Sequence, residues 1–508
     1  MPVLIGPDLT FADVIAVARH DEPVEVSEQA LTAVDRAADH VAQLADDVVP
    51  HYGISTGFGA LASKRVPVEQ RAILQHSLIR SHAASTGAEV EREVIRAMML
   101  LRLKTMASGH TGVRREVVLG YAAMLNAGIT PITGEYGSLG CSGDLAPLAH
   151  AALALTGEGI VRDKTGTQMP AAEALAAADL EPITLREKEG LALINGTDGM
   201  LGQLILALTD LDTLVTTADL TTAMTVQALC GIDAVFAPDL QALRPHEGQK
   251  LSAANIAALL KDSPLIQAGK SEESKRVQDA YSLRCAPQVT GAVRDTMAHA
   301  AHVARVELVS AIDNPAVTDD LRVESNGNFH GAPVAYVLDF LAIAVADLAS
   351  MSERRTDRML DPARSRGLNA FLANDPGVDS GYMIAQYTQA SIVSELKRLA
   401  VPASADSIPT SAMQEDHVSL GWSAARKLRR AMDGLGKVLG VEALTAARAI
   451  DMRGIGASEP VARVIKLMRE SLPEPGSDSF LAPDIAEADR LVASGTLVAA
   501  ARELVELN

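Results

Sequence analysis

The sequence predicts a mainly α-helical protein: a long-helix bundle with a loop-rich N-terminal region and small β-hairpins. Three observations carry this. Aromatic residues make up only 3% of the 508, while Ala and Leu abound, a composition that favours packed helices over sheets. Leu428, Met432, Leu435 and Leu439 stand at positions 0, 4, 7 and 11 of one helical stripe, with Arg426, Lys427, Arg429 and Arg430 on the other faces. Strand signals are sparse.

In chain order, three glycine-rich, weakly charged pieces interrupt the helices: Tyr52 to Gly59, Gly134 to Gly143 and Ser325 to Gly331. Such pieces bring backbone close to something. After Gly143, Asp144 reads as the cap of a helix with Pro147 in its first turn. Ile160 to Thr167 reads as a hairpin turning at Lys164 to Gly166, and Val317 to Val323 as another. Met200 to Leu229 is apolar nearly all round, as a helix surrounded by helices would be. Further long helices are expected from about Thr296 to Ala311 and near Tyr336 to Asp357. The Pro/Gly/Ser-bearing stretch Leu472 to Pro483 precedes a short helical tail. These features divide the chain into an N-terminal region (1–199), a central long-helix bundle (200–471) and a linker with C-terminal tail (472–508).

Composition narrows the function classes. With 45 basic and 64 acidic residues the net charge is −19, and no basic tract occurs, so no nucleic-acid or membrane partner is expected. The longest stretch free of Asp, Glu, Lys and Arg, Val117 to Gly134, is broken by Gly120, Asn126, Gly128 and Pro131 and is a poor membrane span. The start, Met1 to Pro7, has no basic n-region and meets Asp8 too soon for a secretory leader. Three scattered cysteines, Cys141, Cys230 and Cys285, imply no disulfide framework. The expectation is a cytoplasmic protein with a small-molecule substrate.

Several short patterns lead nowhere. Gly57-Phe-Gly-Ala-Leu-Ala62 fits a dinucleotide fingerprint, but no strand precedes it and no βαβ alternation surrounds it. Asn195-Gly-Thr197 is a glycosylation sequon in a chain expected to stay in the cytoplasm. No His-Glu-x-x-His or Cys-x-x-Cys pattern supports a metal, and none is expected. The informative segment is Gly137-Ser-Leu-Gly-Cys-Ser-Gly-Asp-Leu-Ala-Pro-Leu-Ala-His150. A flexible turn feeding a helix would explain its end but not the Cys-Ser-Gly before it. Glycine lacks a Cβ, so the Gly143 nitrogen could be compressed onto the Cys141 carbonyl carbon to close a five-membered ring. Loss of water from that ring and from Ser142 would leave a methylidene-imidazolone, an electrophile that no ordinary side chain provides.

This segment resembles the signature of the aromatic amino acid ammonia-lyases, which build such a group from their own backbone. The similarity covers most of the chain. It continues through Tyr52-Gly-Ile-Ser-Thr-Gly-Phe-Gly59, Leu78-Ile-Arg-Ser-His-Ala-Ala84, Lys188-Glu-Gly-Leu-Ala-Leu-Ile-Asn-Gly-Thr197 and Val277-Gln-Asp-Ala-Tyr-Ser-Leu-Arg-Cys285. Gly327-Asn-Phe-His-Gly331 and Ser407-Ile-Pro-Thr-Ser-Ala-Met-Gln-Glu-Asp-His-Val-Ser419 follow. Within the family, Ser81-His82 and Gln414-Glu-Asp-His417 resemble the histidine-deaminating branch.

The resemblance implies an ammonia-lyase/fumarase-like helical core and a homotetramer with composite active sites. It implies deamination of L-histidine to trans-urocanate and ammonia, the opening step of histidine breakdown, by a methylidene-imidazolone formed from Cys141, Ser142 and Gly143, with no external cofactor. Eliminating ammonia needs a base and an electron sink. Tyr52 matches the family's candidate base; Asn195 and Tyr281 match positions touching the prosthetic group. Arg284 matches a clamp on the substrate carboxylate, a bidentate geometry lysine cannot reproduce. A phenyl pocket would be apolar, whereas an imidazole needs partners for two nitrogens, which His82 and Glu415 can supply. Gln278, Phe329 and Gln414 also match positions lining the family's site. The alternatives are a tyrosine or phenylalanine ammonia-lyase, an aminomutase of the same family, or a non-catalytic scaffold that kept the fold. The chain departs from the family pattern at Cys141, where Ala is commoner, and at Ser55, Ala280 and Ala286, where Asn, Pro and Gln are frequent.

Overall fold

The computed structural model describes residues 2–271 and 276–508. Twenty α-helices and nine short strands occur among the described residues, which makes the protein mainly α. The chain divides into two compact units, each assembled from three stretches. The first comprises Met1–Leu206, Ala301–Asp339 and Pro402–Arg426; the second comprises Ala207–Ala300, Phe340–Val401 and Lys427–Asn508.

The first unit is organised around the helix Arg92–Ala107, whose residues from Val94 onward are all buried. Three of them are cationic. Arg96 donates to Val17 O at 3.0 and 2.8 Å and to Leu125 O at 3.0 Å, satisfying last-turn carbonyls of the helices Phe11–His20 and Arg115–Asn126. Burial lowers its pKa to about 10, so the guanidinium stays charged at neutral pH. Arg102 and Lys104 serve the site described below. The strands make only small sheets. Val3–Ile5 pairs in parallel with Val24–Val26, and Thr86–Glu89 pairs antiparallel with Gly134–Tyr136.

The two expected hairpins form, each with its strands displaced to suit its turn. Ile160–Arg162 pairs with Gln168–Pro170, and Ala316–Val317 with Val323–Glu324. In the first, Asp163 Oδ1 accepts from Thr165 N at 2.8 Å and Thr167 N at 2.9 Å, so the turn occupies residues 163–167 and the second strand starts beyond it.

The expected long helices are present as Asp198–Ala228, Ala286–Val309, Ala332–Leu360 and Gly421–Arg453. The second begins ten residues before the expected start, because Pro287 falls in the first turn, where its missing N–H costs nothing. Asp198–Ala228 and Ala332–Leu360 are long and apolar enough to cross a membrane, but 78% and 61% of their most apolar windows are buried inside the protein. Beyond Met468 the chain is non-helical to Phe480, and the helices Leu481–Ala493 and Thr496–Arg502 form the tail.

In the second unit, polar groups buried among these helices are paired. Glu442 accepts from Thr221 Oγ1 at 3.0 Å, Thr225 Oγ1 at 2.8 Å, Ser352 Oγ at 2.6 Å and Arg355 Nη2 at 2.7 Å. Both charged residues are fully buried. Glu442→Ala would strand the guanidinium, so denaturant unfolding should show a loss of about 3–5 kcal/mol. A loss under about 1 kcal/mol would mean that water reaches Arg355.

Candidate active site

The three glycine-rich pieces and the loop after Ser407 all belong to the first unit. A cavity of about 470 Å³ there is lined by Tyr52, Gly57 to Leu61, His82, Ser142, Asn195, Asn314, Ser411 and Glu415, with apolar walls from Leu74, Leu78, Leu145, Leu191 and Ile194. Five sequence-predicted site residues, from five separated blocks, thus share one cavity. The Gly57-Phe-Gly segment that mimicked a dinucleotide loop contributes its wall, and Asn195, 3% exposed, is shut away from any glycosylating enzyme.

The floor is built by close backbone approach. Gly143 bridges to Gly196, and a Cβ on Gly143 would stand 1.9 Å from Gly196 O, so only glycine fits. Ser142 (φ +50°) and Gly143 (φ +78°) are both left-handed, a tight conformation costly for the serine. Asp144 N donates to Gly196 O at 2.7 Å. The Asp144 carboxylate does not cap its own helix, contrary to the sequence reading. Its backbone (φ −91°, ψ 59°) departs from the extended form of a cap, and its side chain is directed to another helix. It accepts from Met200 N at 2.9 Å in the first turn of Asp198–Ala228 and from Ser138 Oγ at 2.8 Å.

Burial pushes the Asp144 carboxyl up to about 7, against the pull of the Met200 N–H and Ser138 hydroxyl. Its folded pKa lies above its unfolded value, so the folded state holds the proton longer. Its contribution to stability is fully present below about pH 4 and is lost as pH rises to about 7. Denaturation midpoints of wild type and Asp144→Asn should therefore shift against each other across that window, wild type losing ground as pH rises. A constant difference would contradict the assignment.

Asn195 is held at both ends. Its Nδ2 donates to Asn314 O at 2.9 Å, its backbone oxygen accepts from Arg102 Nη1 at 2.7 Å, and its buried Oδ1 has no partner among the described residues. Arg102 Nη2 also donates to Ile312 O at 2.7 Å, and Lys104 Nζ to Ser310 O. Tyr52 OH accepts from Gly59 N at 3.3 Å. Burial, and then the negative charges of Glu415 and Asp313, raise its pKa above the usual phenol value, with the Gly59 N–H opposing.

His82 ends the helix Arg71–His82, and its Nδ1 lies 2.8 Å from Leu78 O. A carbonyl can only accept, so Nδ1 carries a proton, and in the neutral ring Nε2 presents a lone pair. Glu415 Oε1 accepts from Ser142 Oγ at 3.3 Å and Oε2 from Thr410 Oγ1 at 3.1 Å. Burial, followed by the Glu415 charge, pushes the Cys141 thiol up to about 12, so it is an inert neutral group packed against Val418 and Leu420.

The other expected residues lie elsewhere. Gln414 is exposed and Phe329 half-buried in the 325–331 loop, and neither lines the cavity. Gln278, Tyr281 and Arg284 belong to the second unit. Tyr281 is 70% exposed, with the Arg284 guanidinium 4.6 Å from its ring centre; Arg284 Nε donates to Asp279 O at 2.9 Å. Asn314 was not anticipated from the sequence, although Asp313-Asn314-Pro315 is turn punctuation before a hairpin and could have marked it. Among the described residues no group of three or more His, Cys, Asp or Glu could hold a metal ion.

Residues 9–470 match the family model for aromatic amino acid lyases. The chain belongs to the aromatic amino acid lyase family. It is 61% identical over 505 residues to histidine ammonia-lyase of Streptomyces coelicolor, covering 99% of this chain and 98% of that protein. The corresponding protein of Symbiobacterium thermophilum is 46% identical over 98% of both chains. Among solved structures, tyrosine aminomutase from Streptomyces globisporus superposes with a TM-score of 0.94 at 36% identity and full coverage of both chains. Histidine ammonia-lyase from Trypanosoma cruzi gives 0.91 at 37%, covering all of this chain and 96% of that one. This lyase is thus a carbon–nitrogen lyase on the family's helical fold, acting on a small molecule.

Proposed function

We propose that this lyase converts L-histidine to trans-urocanate and ammonia, the first step of histidine breakdown, with a methylidene-imidazolone formed from Cys141, Ser142 and Gly143. The observation that carries the substrate assignment is the pairing of His82 and Glu415 on the wall of the cavity that holds Ser142. The histidine ammonia-lyase relatives at about 60% identity support it. The residues present fit the group: a left-handed Ser142-Gly143 pair pressed on Gly196, and a buried Asn195 oxygen that none of the described residues satisfies. When formed, that group supplies an electrophile and electron sink without an external cofactor or metal.

The chain's own groups supply the rest. Tyr52 takes the β-proton. Burial first, and the Glu415 charge after it, keep the phenol protonated in the free site at neutral pH, and a cationic substrate that offsets Glu415 would ease its ionisation. His82 Nε2 and Glu415 accept hydrogen bonds from the ring, and Arg284 grips the carboxylate. Asn195 and Tyr281 stand against the prosthetic group, and Gln278, Phe329 and Gln414 complete the pocket.

The exposure of Tyr281 supports a homotetramer whose sites combine residues from several copies. So does the apolar stripe Tyr336, Phe340 and Ile343 on Ala332–Leu360, about half exposed. The proposed location is the cytoplasm, with no nucleic-acid or membrane partner. A tyrosine aminomutase is the second reading, favoured by the structural neighbour above.

Turnover of histidine, tyrosine and phenylalanine, together with the intact mass of the chain, tests both. Urocanate should dominate, and the mass should fall short of the sequence by two waters. β-Tyrosine as main product would replace the first reading by the second.

A further inference from the structure

Lys188 lies outside the cavity lining, yet its place in the first unit is unusual. It is 0% exposed and adopts a left-handed backbone (φ +68°), strained for a lysine. Its Nζ donates to Asp313 Oδ2 at 2.5 Å, and Asp313 is equally buried. Desolvating an ion pair is costly, and an apolar pair of similar size would be at least as stable there. What the pair does provide is a fixed position for the next residue. Asp313 Oδ1 accepts from Asn314 N at 2.8 Å, and Asn314 O accepts from Asn195 Nδ2 at 2.9 Å. Asn314 is further held through its Oδ1, which accepts from Ser325 Oγ at 3.0 Å and Asn326 N at 2.9 Å.

A carbonyl facing the Asn195 amide decides which way that amide points. Asn314 O can pair only with the NH2 side, so Oδ1 is turned the other way and left without a partner among the described residues. Rotating the amide would bring two oxygens together. Everything that fixes Asn314 O therefore fixes the face that Asn195 offers to the reaction.

We propose that Lys188 is a positioning residue for deamination: through Asp313 and the Asn314 carbonyl it locks the orientation of the Asn195 amide. This rests on the functional reading above, in which Asn195 stands against the reacting groups. It is distinguishable from that reading because it concerns the relative rates of variants with whichever aromatic amino acid the wild type deaminates.

Lys188→Met, Lys188→Arg, Asp313→Asn and the double variant Lys188→Met/Asp313→Asn would be compared for denaturation midpoint, intact mass, kcat and KM on histidine, tyrosine and phenylalanine. Lys188→Met should lower kcat roughly ten- to hundred-fold, the cost of a sub-ångström misplacement, with KM changed less than about threefold. Lys188→Arg should recover most of the rate. The double variant, free of a stranded charge, should regain the wild-type midpoint and the two-water mass deficit while kcat stays low. Recovery of kcat together with the midpoint would overturn the proposal, leaving the pair a structural element only; so would a loss carried entirely by KM. If Lys188→Met fails to fold, the double variant and Asp313→Asn decide the question by the same split.

Discussion

Ser142→Ala should abolish deamination, by at least about three orders of magnitude in kcat, while the chain folds and assembles as before. The expectation follows from what the serine does and does not touch. Its hydroxyl makes one protein hydrogen bond, a 3.3 Å contact to Glu415 Oε1, so its loss costs little stability. Its backbone is the expensive part. The left-handed Ser142-Gly143 pair is pressed against Gly196 by Asp144 N, which donates to Gly196 O at 2.7 Å. Alanine can take up the same backbone, so the fold survives, but it has no oxygen to lose as water. The measurement is paired: intact mass should rise from a two-water deficit to a smaller one or none, and histidine turnover should vanish in the same preparation. A variant that keeps more than about a tenth of wild-type turnover would show that the reaction does not pass through this serine. Gly143→Ala should fail differently, in folding, because a Cβ would stand 1.9 Å from Gly196 O.

The longest helices were legible because they carry their own apolar pattern: the stripe at Leu428 to Leu439 lies inside Gly421–Arg453, and the all-round apolar Met200 to Leu229 maps onto Asp198–Ala228. What local pattern could not show was where buried polar groups would find partners. Asp144 stands at a helix start and looks like its cap, yet its carboxylate serves Met200, fifty-six residues away in sequence. Asn195 sits in a sequon that says nothing of its partners, and it is locked between Arg102 and Asn314. The cavity residues Tyr52, His82, Ser142, Asn195 and Glu415 were legible through the family resemblance and not through spacing, since five separated blocks supply them. Tyr281 and Arg284 illustrate a different gap. They sit on a one-turn helix of the second unit, where Tyr281 is largely exposed, and their proposed partners belong to another copy of the chain.

Glu415→Ala should lower kcat/KM for histidine by about two to three orders of magnitude while changing the trace reaction with phenylalanine far less. The reasoning starts at His82. With Nδ1–H committed to Leu78 O, its Nε2 can only accept, and the ionised Glu415 carboxylate can only accept. Two acceptors on one cavity wall suit a ring that donates from both nitrogens, as a protonated imidazole does, and give nothing to a phenyl ring. Binding such a ring would place positive charge beside Glu415, which in the free site raises the Tyr52 phenol. The same contact that selects the ring would therefore ease ionisation of the base. Glu415→Gln separates the two effects. It keeps a hydrogen-bonding group of equal size, so histidine should still bind, but it removes a charge that adds to burial in raising the phenol. The free-enzyme Tyr52 pKa should then fall relative to wild type, and the acid limb of kcat/KM, the rise that follows ionisation of the base, should move to lower pH. Equal losses for histidine and phenylalanine in Glu415→Ala would remove Glu415 from substrate selection, and an acid limb that stays in place in Glu415→Gln would uncouple it from Tyr52.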